Sequence, residues 1–190
     1  MVFVSSPRIG QSWFNLAGSA SLSGFTADGV SVTSGNYTLP GYTETAASSH
    51  EITFDGTKSA FACTQYFCQA VIRKTSLRDW ATLRLTIVIG ATPYYVYQAV
   101  DLANGLLGLT TGSTLTISDS GIDSLGSSTY RVWFIAAVGD TVATDSLTVY
   151  GAEAELDQTY TGDTGSTAYY VGGVMMLCEG DETVPYQVPG

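Results

Sequence analysis

Charge is scarce in this chain. Charged residues make up 13% of its 190 residues, against about 25% in an ordinary soluble domain. Basic residues are scarcest: seven Lys and Arg face seventeen Asp and Glu, for a net charge of −10. That excludes a nucleic-acid binder, which needs clustered cations to meet phosphates. Histidine occurs once, as His50. A single histidine excludes His-pair metal centres, and no GxSxG elbow accompanies it, so a Ser–His–Asp triad has no support. Set in a Ser-rich loop, His50 reads as a surface residue. The three cysteines, Cys63, Cys68 and Cys178, are too few and too odd in number for a disulfide framework. They read as buried free thiols. No apolar run reaches the roughly 18 residues of a membrane helix. The opening MVFVSSPRIGQSWFN has neither the basic nor the sustained apolar region of a signal peptide.

What the chain does have is Ser, Thr, Gly and Tyr, with a lopsided charge distribution. Residues 1–100 carry six basic and five acidic side chains; residues 101–190 carry Arg131 and twelve acids. The acidic half reads first as a solvated face that keeps the protein soluble. The sharper reading is docking, with Arg73, Lys74, Arg78 and Arg84 of one subunit meeting the acidic half of a neighbour.

Turn residues punctuate the chain from Leu22 onward, as in TSGN, LPGY, FDGT, IGATP, TTGS and TGDTG. Between them lie short runs with period-two alternation. In Thr82–Ile89, the side chains of Leu83, Leu85, Ile87 and Ile89 face one way. Thr82, Arg84, Thr86 and Val88 face the other, as on a strand with one core face and one wet face. Further strands are predicted at Glu51–Asp55, Phe61–Lys74, Tyr94–Asp101, Thr114–Ser118, Tyr130–Val138, Ser146–Leu156 and Tyr169–Leu177. The best helical candidate is the short TSLRDW turn, Thr75–Trp80. The expected fold is all-β: a two-sheet antiparallel β-sandwich over residues 19–190, preceded by an N-terminal arm or first strand at 1–18. In that arm, Val2, Phe3, Trp13 and Phe14 are candidates for docking on another chain.

Three kinds of chemistry have candidate residues. The run PYYVYQ sets Tyr95 and Tyr97 on one strand face, where they could form an aromatic platform for a sugar. The competing reading of those tyrosines is core or interface packing. Asp140, Asp145, Asp157 and Asp163 lie in or beside loops and are the candidates for a structural Ca²⁺, though no contiguous calcium-loop motif joins them. Catalysis has the weakest support, and the expectation is that the protein is not an enzyme.

Four signatures follow in order: DLANG at Asp101–Gly105, YRVWF at Tyr130–Phe134, TYTGD at Thr159–Asp163 and GGVMMLCEG at Gly172–Gly180, with VPYQVPG after them. In this order and spacing the chain resembles the jelly-roll, carbohydrate-binding-module-like domains of tailed-bacteriophage head decoration, head fibre and tail fibre proteins. The resemblance is good over about residues 80–190 and loose before that. It implies a jelly roll and a non-enzymatic virion structural protein made in the host cytoplasm. Such a subunit would dock on capsid or tail proteins, with a homotrimer as its implied assembly. The alternative it implies is a glycan-binding module for host adhesion. The signature residues themselves read as fold-makers: Gly105 and Gly180 for tight turns, and Tyr130, Val132 and Phe134 for an inner face. Arg131, flanked by apolar residues, is expected to pair with a carboxylate or end a strand.

Overall fold

The computed structural model describes residues 12–15, 20–56, 61–112 and 115–179; at 12–15, 61 and 62 it describes the backbone path alone. Two antiparallel sheets form a β-sandwich. The larger sheet runs β10 (Thr116–Gly126), β11 (Thr129–Val142), β6 (Phe61–Lys74), β13 (Thr167–Glu179), β4 (Tyr37–Glu44) and β3 (Phe25–Ser34). Its seventh strand, β1 (Ser12–Asn15), pairs with the far half of β13, Ser12 opposite Cys178 and Asn15 opposite Met175. The smaller sheet runs β2 (Ser21–Ser23), β5 (Glu51–Asp55), β12 (Thr144–Ala152), β7 (Trp80–Ile89), β8 (Thr92–Asp101) and β9 (Leu106–Gly112). Among these strands the chain stays in one sheet only along β3–β4, β7–β8–β9 and β10–β11 and changes sheets at every other step, so neighbours in space are distant in sequence.

Alternation decides which side chains meet between the sheets. From β7, Leu83, Leu85 and Ile87 are fully buried; β12 adds Leu147 and Val149. The larger sheet answers with Cys68, Ala70 and Ile72 of β6, Val132, Phe134 and Ala136 of β11, and Tyr169 and Val171 of β13. Each Val, Leu, Ile and Phe among them contributes about 1.5–3 kcal/mol by leaving water, and the alanines less. Strands β5 and β6 start and stop where their sequence patterns do. Strands β3, β4 and β9 are absent from the sequence-based expectation. No helix occurs among the described residues. The Thr75–Asp79 segment is a bend held by Thr75, whose Oγ1 accepts the Leu77 N–H and donates to the Thr167 carbonyl. Trp80 already belongs to β7. The strand expected to run to Leu156 ends at Ala152, because an isolated bridge between Ala154 and Asp157 turns the chain.

The signatures fall on turns and core. DLANG closes the β8–β9 connection, with Gly105 at φ +67° and its Cα against the Tyr130 ring, where a Cβ would sit 2.7 Å from Cε1. Arg131 of YRVWF pairs with Asp123 across the β10–β11 ladder at 2.7 Å. The same ladder ends in a two-residue turn, Ser127 and Ser128, both exposed and both at positive φ.

The cysteine expectation is overturned. Cys63 and Cys178 form a disulfide, and Cys68 alone is free and buried. The partners stand 115 residues apart with Cα atoms at 5.7 Å, a proximity that only the pairing of β6 with β13 creates. His50 is a second correction: it is fully buried.

Candidate functional site

The outer face of the smaller sheet is built by register, and its centre is covered where a wet surface is expected: Thr82 and Thr148 are fully buried and Tyr150 is 3% exposed. Thr53 of β5, Thr148 of β12, Arg84 of β7, Tyr97 of β8 and Thr111 of β9 lie in one row across five strands. Adjacent rows carry Glu51, Tyr150 and Thr82 on one side, and Asp55, Ser146, Thr86 and Tyr95 on the other. Opposite residues on neighbouring strands share a face and come within contact range, so these side chains form one surface. The Arg84 guanidinium lies 4.7 Å from the Tyr150 ring centroid and 5.8 Å from that of Tyr97. Tyr95 meets Tyr97 edge to face at 5.4 Å, and Tyr97 lies 6.2 Å from Tyr150. Arg84 Nη1 donates to the Tyr97 hydroxyl at 3.5 Å. Glu51 is steadied by the Ser49 hydroxyl at 2.9 Å. Burial pushes the Tyr150 hydroxyl well above the usual tyrosine range, an effect that Arg84 opposes and Glu51 reinforces. Tyr97 and Arg84 are half-buried, whereas Tyr95 is 36% exposed at the rim.

The face is not saturated. Thr82 Oγ1, Arg84 Nε and Thr86 Oγ1 are buried without a hydrogen-bond partner. A buried polar group left this way costs about 1–3 kcal/mol, and the three lie at alternate positions of β7, on one face of the strand. Tyr95 and Tyr97, singled out in the sequence, are therefore brought together. The sequence alone did not mark Tyr150, Glu51, Thr53, Thr111 or Thr148, although the Thr82–Thr86 alternation already placed Thr82, Arg84 and Thr86 on one face.

A second polar cluster lies inside the molecule. Glu44, at the end of β4, has a fully buried side chain. It accepts two hydrogen bonds from Arg78 at 2.8 Å each, one from the Tyr160 hydroxyl at 2.8 Å and one from the Asp163 backbone N–H at 2.8 Å. Burial alone would push this carboxyl up; Arg78, the Asp163 N–H and Tyr160 outweigh it and hold the group below the ordinary glutamate value. The Arg78 guanidinium also stacks 4.1 Å over the Tyr160 ring, whose other neighbour is the parallel His50 ring at 4.6 Å. His50 Nε2 meets the Thr45 carbonyl at 3.1 Å. Gly162 passes so close that a side chain there would run into the Thr45 carbonyl and the His50 ring. TYTGD is thus a clamp that fastens a strandless loop onto both sheets.

The basic residues do not share one surface. Arg78 is turned inward onto Glu44, and Lys74 pairs with Asp79. Arg73 lies beside the Tyr170 ring on the outer face of the larger sheet, while Arg84 lies on that of the smaller. Trp13 and Phe14 lie in β1, described by backbone alone; Val2 and Phe3 fall outside the described residues. The acids nominated for Ca²⁺ do not converge: among the described residues, no three His, Cys, Asp or Glu side chains gather at a metal-binding distance. Asp145 accepts a hydrogen bond from Tyr66, and the Asp157 carboxylate accepts the Thr159 N–H. No protein-family model matches the chain, and no curated protein shows significant similarity to it.

Proposed function

We propose that this chain is a non-enzymatic virion structural protein of a tailed phage, a capsid-decoration or fibre subunit that docks on the particle through protein–protein contacts as a homotrimer. The observation that carries the reading is where the ordered signatures fall. DLANG, YRVWF and TYTGD occupy a tight turn, a central strand and a buried clamp of one β-sandwich. The resemblance therefore rests on residues that determine a fold. The sole histidine, buried between Phe25 and Tyr160, is in no position to serve as a surface general base, which supports a role without catalysis. Native mass spectrometry tests the assembly: a species at three times the 20.0 kDa chain mass is expected. Cryo-EM of the particle should then place the sandwich on its capsid or tail. A chain that stays monomeric and never joins a particle overturns the reading.

One observation favours a second function for the same module, glycan binding in host adhesion. The Tyr95–Tyr97–Arg84 face, backed by the buried Tyr150, combines exposed ring surface with hydrogen-bonding groups, the pairing of features by which sugars are held. A glycan array should give a defined ligand. Tyr97→Ala should lower its affinity at least tenfold and Tyr95→Ala less, since Tyr95 is the rim residue. An array with no bound glycan removes this function and leaves the structural role standing.

A further inference from the structure

The cation of the binding face has no anion. Arg78 pairs with Glu44, Arg131 with Asp123 and Lys74 with Asp79, but Arg84, like Arg73 on the other sheet, is in none of the ion pairs among the described residues. Seventeen acids were available to a chain with four described arginines. A half-buried guanidinium costs free energy unless it is paired. Here the terminal nitrogens carry four N–H donors, and the one acceptor they meet among the described residues is the Tyr97 hydroxyl at 3.5 Å. The rings of Tyr97 and Tyr150 hold the cation in place without neutralising it. Glu51, in the next row, is engaged by Ser49 and forms no ion pair with Arg84.

We propose that the ligand of this face is an acidic glycan, with a sugar carboxylate on the terminal N–H groups of Arg84 and the pyranose ring against Tyr95 and Tyr97. This rests on the glycan-binding function above and names its substrate class. A planar guanidinium matches a carboxylate with two parallel hydrogen bonds, a geometry that lysine lacks. The buried hydroxyls of Thr82 and Thr86, unpartnered in the protein, flank the same cation and make the site polar beneath the rings. Bulk charge works against any acid approaching a −10 chain, so the preference is local to one arginine and weakens with added salt.

The test is an array of paired sugars, each carboxylated member printed beside its neutral parent. Sialyllactose with lactose, oligogalacturonate with galacto-oligosaccharide, and a hyaluronan tetrasaccharide with its carboxyl-reduced form would serve. A decapeptide of glutamate is added as a protein-like carboxylate. The expected result is an acidic sugar bound at least tenfold more tightly than its parent, with the gain lost in Arg84→Gln and only partly kept in Arg84→Lys. Equal binding of acid and parent overturns this proposal while glycan binding survives. No glycan bound overturns both. Binding of the peptide without any sugar overturns both and assigns the face to a protein partner. The wild-type comparison stands even if the Arg84 variants do not fold.

Discussion

Glu44 shows how one residue can carry a large share of the order in this molecule. Its carboxylate joins β4, the Thr75–Asp79 bend through Arg78, and the TYTGD loop through Tyr160 and Asp163. Glu44→Gln keeps the shape but leaves the largely buried Arg78 with only the exposed Glu153, at 3.7 Å, as counter-charge among the described residues. Breaking such a pair costs about 3–5 kcal/mol, a fall of roughly 6–20 °C in thermal midpoint for a chain of this size. A melting curve checks it, and an unchanged midpoint would show the clamp to be dispensable. The pH dependence has a definite sign. The folded carboxyl titrates below its ordinary value of 4.5, so its contribution is complete above about pH 4.5 and is lost as pH falls through the lower folded value. Stability followed by urea titration should be flat towards neutrality on this account, should decline below pH 4.5, and should lose most of that decline in Glu44→Gln. None of this was legible in TETAASSH, where Glu44 and His50 look like loop residues. Their partners stand up to 119 residues away in the chain, and burial of a charge leaves no local pattern.

At the scale of elements, legibility followed periodicity. Strands such as Thr82–Ile89 and Phe61–Lys74 carry aliphatic or aromatic residues at every second position, and the structure uses that alternation directly. β4 contains Pro40 and Gly41, and β9 reads LLGLTTG, with Gly at both ends of its Thr-rich half. Proline and glycine are poor strand formers in isolation; here pairing with β3, β13 and β8 supplies what propensity does not. The disulfide belongs to this scale too, since it fixes the end of β13 to the start of β6. Closing a loop of this length stabilises by up to about 4.7 kcal/mol in the chain-entropy model. Dithiothreitol should therefore lower the urea midpoint clearly. Cys63→Ser should reproduce the reduced protein's midpoint and be insensitive to the reagent. Equal midpoints with and without dithiothreitol in the wild type would argue that the bridge adds nothing.

For the molecule as a whole, composition spoke about architecture far more than about action. Low charge, frequent turn residues and short alternating runs pointed to two packed sheets. The Arg84 face is assembled from β5, β12 and the β7–β8 hairpin, three segments separated by strands of the other sheet. Tyr95 and Tyr97 could be seen because they share one strand. Tyr150 joins them only through the β12–β7–β8 register, which no local window contains. The same distribution of contacts makes some parts of the surface far more replaceable than others. The Ser127–Ser128 turn is exposed at the end of the larger sheet, with the Ser128 carbonyl accepting the Lys74 N–H of β6, and its backbone already suits glycine or asparagine. It is a natural splice point, where a fluorophore, an affinity tag or a foreign epitope could be carried on the edge of the larger sheet, leaving the Glu44 clamp and the Arg84 face undisturbed.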